Sequence, residues 1–205
     1  MAGGRPREFD VDEALDRALH VFWEHGYEGT SLSQLTQAMG ISRPSLYAAF
    51  GGKADLFQRV IERYYEGDSA YTVAALQEES ARDVVREYLH RNVDAITSPD
   101  HPHGCLVVQS ALRCSAENVE VAADLANRRR LGTEALRARF EKALQAGDTS
   151  GGYDPAALAL YVSTVSEGLT VRAASGATRQ ELHSVVDFSL QALTQFSEPS
   201  AVGRV

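Results

Sequence analysis

Apolar side chains recur at every third or fourth position along most of this chain, and this spacing constrains the fold more than any other feature. The pattern begins near Val11 and continues, with short breaks, to Phe196. Runs of alternating apolar and polar residues, which would indicate half-buried strands, do not stand out anywhere. Each periodic stretch predicts a helix whose apolar face has to pack against another helix. The sequence therefore predicts an all-α fold.

Two predicted helices open the chain. Asp10 and Glu13 form a capping-box start for a helix that is expected to run from about Val11 to His25 and to end at Gly26. A second, short helix follows from a start signal at Thr30, Ser31 and Gln34, and Gly40 ends it.

A third short helix begins after Ser42, and Pro44 lies in its first turn, where the missing N–H of proline costs little. Leu46 and Phe50 give this helix a narrow inward face. The two short helices and the Gly40-Ile41-Ser42 turn between them predict a helix-turn-helix. A fourth helix is expected to begin near Lys53 and to link this unit to the rest of the chain.

The distribution of charge limits how such a unit could meet nucleic acid. The formal net charge is −8 at pH 7, which disfavours general binding to polyanions. Between Gly29 and Ala54, however, there is no Asp or Glu, and Arg43 and Lys53 lie in this stretch. Any contact with DNA is therefore expected to be local to this region.

The same residues resemble a known family. The segments GTSLSQL from Gly29, AMGISRPSLYAAF from Ala38 and KADLF from Lys53 resemble the DNA-binding signature of the TetR/AcrR family of transcriptional regulators. The resemblance extends from about Asp10 to Tyr65. It implies an N-terminal arm and a three-helix DNA-binding unit in residues 1–52, followed by a helical bundle in residues 53–205 for effector binding and dimerisation.

The resemblance also implies roles for individual residues. The guanidinium fork of Arg43 suits guanine and Ala48 suits a thymine methyl, while Thr30, Tyr47 and Lys53 would hold phosphates. Arg5 and Arg7 would reach an adjacent groove, although a disordered tail is the alternative for this arm. The full set of expected DNA contacts is Arg5, Arg7, Thr30, Arg43, Pro44, Ser45, Tyr47, Ala48 and Lys53.

The rest of the chain contains five further predicted helices, near 81–97, 104–114, 117–146, 154–174 and 179–196. In the family the last two helices form a four-helix bundle with a second copy, and Leu169, Val186 and Leu193 are candidate contacts. Packing within one chain explains their apolar stripes equally well. A short recognition helix reads few base pairs, which favours the homodimer.

The resemblance further implies a cavity for a small-molecule effector among the middle helices. The candidate lining residues are Leu106, Gln109, Leu112, Leu125, Arg129, Phe140, Tyr161 and Val165. Arg129 is the most suggestive because it could anchor an anionic effector. The alternative is that its aliphatic stem covers apolar surface while its charged end lies in water.

One cluster suggests a different signal. His101, His103 and Cys105 are suitable ligands for a soft transition metal, and Cys105 is expected to open a helix, a position that can favour a thiolate. No fourth ligand is evident, so a loop that leads into a helix is the simpler interpretation. A metal- or redox-responsive regulator is nevertheless the alternative to one that senses a small molecule.

Other functional classes receive little support. The chain lacks a phosphate-binding glycine loop, a zinc-protease motif and a nucleophile elbow, so we expect neither an enzyme nor a cofactor. A helical adaptor that binds only protein would leave the acid-free stretch unexplained. Neither a secretory signal nor a stretch long enough to span a bilayer is recognisable, and we expect a cytoplasmic location with Cys105 and Cys114 reduced.

Overall fold

A computed structural model describes residues 9–148 and 153–195, and all of the regular structure in these ranges is helical. The all-α prediction is confirmed. The helices are α1 (Val11–Gly29), α2 (Leu32–Met39), α3 (Arg43–Phe50), α4 (Lys53–Glu66), α5 (Tyr71–Ala75), α6 (Ala81–Ile96), α7 (Leu106–Arg113), α8 (Val119–Gln145), α9 (Pro155–Ala174) and α10 (Arg179–Gln195). A single 3₁₀ turn, Ala116–Asn118, precedes α8. The short helix α5 was not predicted from the sequence, and the predicted DNA contacts Arg5 and Arg7 lie outside the described residues.

The regular helix of α1 is interrupted at Gly26, where the sequence predicted its end, and one further helical turn follows. Gly26 has φ 69° and ψ 174°, and the backbone becomes helical again up to Gly29. The extra turn buries Tyr27, whose ring lies 5.0 Å from the ring of Phe57 and packs parallel to that of Phe22. Burial of this aromatic side chain explains why the helix continues beyond a residue that would ordinarily terminate it.

The helix-turn-helix forms from α2 and α3 as the local signals indicate. The Ser31 hydroxyl accepts from the N–H of Gln34, and the Gln34 side chain accepts from the N–H of Ser31, which completes a capping box. Gly40 adopts a left-handed conformation with φ 68° and ends α2. Ser42 then caps α3 by accepting from the N–H of Ser45.

Two apolar cores hold the molecule together. The first joins α1 to α4 with Leu106 and Val107 of α7 and with Val121 and Leu125 of α8. The second joins α6, the end of α8, α9 and α10. The predicted boundary between residues 52 and 53 coincides with the start of α4, but the first core continues across it into α7 and α8. The division of functions at this boundary stays a prediction.

The last two helices pack differently from what their apolar stripes suggested. Leu169 and Val186 are 3% and 0% exposed because they pack into the second core of the same chain, and Leu193 packs partly against it. Leu169 and Val186 are therefore not free to contact a second copy, whereas the contact expected for the half-buried Leu193 stays a prediction. The exposed apolar side chains of α9 and α10 are Leu160, Val171, Val185 and Phe188.

None of the helices in the described ranges is sufficiently long and apolar to cross a bilayer.

Candidate DNA interface and effector cavity

The helix α3 presents a polar face that the rest of the protein does not cover. Leu46 and Phe50 are buried beneath it, at 0% and 3% exposure. Arg43 is exposed and makes no hydrogen bond or ion pair with any described residue. Its guanidinium is therefore available to an external acceptor.

The neighbouring positions on α3 are equally accessible. Pro44 and Ala48 are exposed, and Tyr47 is 52% exposed. Ser45 is half-buried, with its hydroxyl 2.8 Å from that of Ser42 in the cap of the helix. Five of the predicted DNA contacts thus share one short helix.

Lys53, at the start of α4, lies against the body of the DNA-binding unit. Its Nζ is 4.4 Å from the centre of the Tyr27 ring. Burial lowers the pKa of Lys53, and the nearby Glu28 carboxylate opposes that shift. A phosphate contact by Lys53 would require its ammonium group to extend away from the Tyr27 ring.

Thr30 has a structural role that its sequence position did not indicate. It is 2% exposed, and its hydroxyl donates a hydrogen bond of 2.7 Å to the carbonyl of Gly26. The bend in α1 directs the Thr30 N–H to Tyr27 instead, so the side chain replaces the lost backbone donor. The hydroxyl that was expected to hold a phosphate is therefore occupied inside the protein.

Glu28 was not recognised from the sequence, yet it connects α1 to the segment between α7 and α8. Its Oε1 accepts hydrogen bonds from the backbone and hydroxyl of Ser115, at 2.8 and 2.7 Å, and from the Asn118 amide at 2.7 Å. These bonds lower the pKa of Glu28 to about 2. No local signal could reveal this contact because the partners lie almost ninety residues apart.

A cavity of about 350 Å³ lies among the helices α4 to α9. Its aromatic lining residues come from α4, α5 and α6, and its charged ones from α8 and α9. Its lining includes Tyr64, Tyr65, Tyr71, Tyr88, Asn92, Cys105, Arg128, Arg129, Thr133, Ser163, Ser166 and Glu167.

Of the eight predicted lining residues, only Arg129 borders this cavity. Leu106 and Leu125 are fully buried in the first core, and Phe140 in the second, because α7 and α8 use these side chains to pack against other helices. Gln109 donates to the carbonyl of His103, and Leu112 is 66% exposed. Tyr161 and Val165 pack against the second core.

Arg129 is paired with an acid rather than left free for an anion. Its Nε and Nη2 donate to the two carboxylate oxygens of Glu167, at 2.8 and 2.6 Å. These hydrogen bonds raise the pKa of Arg129. The pair joins α8 to α9 at the wall of the cavity.

The cluster around Cys105 is arranged differently from a metal site. The Tyr64 hydroxyl donates to Cys105 Sγ at 3.2 Å, and burial raises the pKa of the thiol. The His101 ring stacks on Trp23 with the ring centres 4.1 Å apart, and His103 is exposed. Among the described residues, no group of three or more His, Cys, Asp or Glu side chains is placed to hold a metal ion.

An exposed recognition helix on an all-helical body defines the class as helix-turn-helix transcriptional regulators. Residues 14–60 match the family model described as bacterial regulatory proteins, tetR family. The chain is 32% identical over 190 residues to the transcriptional repressor ComR of Escherichia coli K12, covering 92% of this chain and 90% of ComR. It is 34% identical over 196 residues to the regulator YezE of Bacillus subtilis 168, covering 93% and 99% of the two chains.

Solved structures agree with these sequence matches. A cysteine mutant of the TetR-family regulator CifR, in complex with 26-base-pair double-strand operator DNA, is 41% identical and superposes with a TM-score of 0.88, covering 93% of this chain and 100% of that one. A TetR regulator from Rhodococcus sp. RHA1 is 39% identical, with a TM-score of 0.60 and coverage of 90% and 98%. The chain therefore belongs to the TetR family of DNA-binding transcriptional regulators, which are not enzymes.

Proposed function

We propose that this protein is a cytoplasmic repressor that binds a palindromic operator as a homodimer and is released by a small-molecule effector. The observation that carries the proposal is the exposed, unpaired Arg43 on the uncovered face of α3. The relative ComR is named as a transcriptional repressor, and CifR binds its operator as double-strand DNA, which supports the same activity here.

In the proposed complex, α3 enters the major groove, and residues of α3 and of the start of α4 have two different roles. Arg43, Pro44, Ser45 and Ala48 face base edges, while Tyr47 and Lys53 hold phosphates. Arg5 and Arg7 precede the described residues, and their contact with an adjacent groove stays a prediction. Thr30 is left out of this set because its hydroxyl is bonded to Gly26.

Dimerisation would use the exposed apolar residues of the last two helices. Leu160 and Val171 share one face of α9, and Val185 and Phe188 lie one turn apart on α10. Phe188 is 73% exposed, and a phenyl ring in water is costly unless a partner covers it. A second copy would place another α3 at the matching half-site.

The helix α4 would transmit the effect of a ligand in the cavity to the DNA-binding unit. Tyr64 lines the cavity, and its ring meets that of Trp23 in α1 edge-on, with the centres 5.0 Å apart. A ligand that displaces Tyr64 would therefore move the helix that follows the helix-turn-helix. Linkage requires such a ligand to bind the DNA-free form more tightly, by about 1 to 3 kcal/mol.

Selection of bound duplexes from a random pool tests the function directly. We expect an enriched palindrome whose half-sites are separated by about one helical turn, because two α3 helices would bind one face of the duplex. Absence of enrichment at moderate salt would contradict DNA recognition, and enrichment of a single unrepeated half-site would contradict the dimer.

A metal- or redox-responsive regulator that senses through Cys105, with His101 and His103, is the alternative. It is favoured by the position of Cys105 in the cavity wall. Against it, burial raises the pKa of the thiol, which reduces its thiolate fraction. Release of wild-type protein from the operator by zinc or mild oxidation, but not of Cys105→Ser, would select this alternative.

A further inference from the structure

We infer that the cavity takes an uncharged aromatic molecule, and that Glu167 sets this preference by cancelling the charge of Arg129. The inference rests on the proposed role of the cavity as the effector site and names the class of ligand. It replaces the anionic effector that Arg129 alone suggested.

The aromatic character of the site comes from four tyrosines. The rings of Tyr64 and Tyr65 meet edge-on with centres 5.8 Å apart, and those of Tyr71 and Tyr88 do so at 6.1 Å. Edges and faces of aromatic rings attract a further ring by offset stacking or edge-to-face contact. A flat aromatic molecule is therefore better matched to this wall than a flexible alkyl chain.

The tyrosines also stay uncharged. Burial raises the pKa of Tyr64 and of Tyr71 well above the usual range, and raises that of Tyr65 to about 12. The Tyr71 hydroxyl is already bonded to Asn92 and that of Tyr64 to Cys105. The hydroxyl of Tyr65 has no hydrogen-bond partner among the described residues, so it can donate to a carbonyl or hydroxyl oxygen of the ligand.

The charged side chains on the described wall of the cavity are Arg128, Arg129 and Glu167. Arg128 donates to the Asp124 carboxylate at 2.7 Å, which offsets its charge, and to Gln58 at 2.8 Å. Arg129 is held by both oxygens of Glu167. An anion in the cavity would have to displace Glu167 or lie beside its carboxylate, and a partly desolvated site makes either arrangement costly.

Two probe ligands of similar shape separate the effect of ligand charge on binding from the effect of ligand shape. The methyl ketone 2-acetonaphthone and the anion 2-naphthoate share one ring system and differ mainly in charge at neutral pH. Calorimetric titration of the DNA-free protein should give at least about tenfold tighter binding of the ketone.

Glu167→Gln should change this preference. The amide keeps the size of the side chain but leaves the charge of Arg129 uncompensated, so binding of 2-naphthoate should strengthen by about tenfold or more and that of the ketone should change little. The double variant Arg129→Gln/Glu167→Gln removes both charges and should restore the preference for the ketone. This control separates a charge effect from a loosened fold, since it perturbs the wall more than the single variant does.

Three outcomes would overturn the inference. Wild-type protein could bind 2-naphthoate as tightly as the ketone, it could bind neither probe, or Glu167→Gln could leave the ratio unchanged. These titrations contain no DNA, so their outcome is separate from that of the duplex selection, which tests operator binding and the dimer.

Discussion

Loss of the Arg43 side chain should change which base pairs the protein prefers, rather than lower its affinity for all DNA sequences equally. If its guanidinium grips guanine through two hydrogen bonds, Arg43→Ala should cost about 1 to 3 kcal/mol per half-site and relax the preference at one symmetric pair of positions. Binding titrations on the selected operator and on single-substituted duplexes measure both effects. A uniform loss over all duplexes would show that Arg43 contacts the backbone instead.

Lys53 should behave in the opposite way. Lys53→Ala is expected to weaken binding to all DNA sequences equally, because its ammonium group contacts phosphates, which do not differ between sequences. The salt dependence of the binding affinity should fall by about one phosphate per subunit. Tyr47→Phe should give a milder version of the same result, since it removes one hydroxyl and keeps the ring. Titrations at several salt concentrations provide the comparison, and a change of base preference in Lys53→Ala would contradict the proposed placement of α3.

The pH dependence of stability tests the role of Glu28 in the contact between α1 and the segment that connects α7 to α8. Its pKa falls from an ordinary 4.5 to about 2, so the stability that the ionised carboxylate contributes is complete above about pH 4.5 and is lost as the pH falls through about 2. In urea unfolding, the free energy of unfolding of wild type should exceed that of Glu28→Gln by a constant margin at higher pH. This margin should shrink below about pH 4.5. Glu24→Gln is the control because its side chain is 68% exposed. A margin that is equal at pH 6 and pH 2.5 would rule out this role.

Among the elements, the bend in α1 depends on a conformation that only glycine adopts easily. A methyl group at Gly26 would meet no atom closer than 3.7 Å, so Gly26→Ala tests backbone strain without a clash. At φ 69° and ψ 174°, a conformation that is found almost only for glycine, this variant should lose about 1 to 3 kcal/mol of unfolding free energy. Gly29→Ala, in the same helix but without a positive φ, should be neutral or slightly stabilising. Equal effects of the two substitutions in urea unfolding would show that the bend is not held by Gly26.

For the whole molecule, the dimer should depend on exposed rather than buried residues of α9 and α10. Burying a phenylalanine contributes about 1.5 to 3 kcal/mol, so Phe188→Glu should weaken dimerisation by at least about tenfold and lower operator affinity with it. Leu112→Glu is the control, because Leu112 is 66% exposed on α7, outside the last two helices. Sedimentation equilibrium measures the change. If the Phe188→Glu protein dimerises like wild type, the interface lies elsewhere in the molecule.

The sequence by itself determined the features that depend on neighbours along the chain. The caps at Ser31 and Ser42 and the left-handed Gly40 act within one turn of helix, so α2, α3 and the exposed face around Arg43 follow from local rules. Helical spacing of apolar residues was likewise enough to establish an all-α fold.

Only the tertiary structure decided which apolar or charged side chains face a core, a cavity or solvent. Leu106 and Val186 carry the same helical spacing as a cavity wall or a dimer face, yet both are buried within the chain because other helices pack on them. The pairing of Arg129 with Glu167, like that of Glu28 with Ser115, joins residues far apart in sequence. Periodicity fixes the face of a helix that is apolar, but the partner of each face depends on how the helices pack in three dimensions.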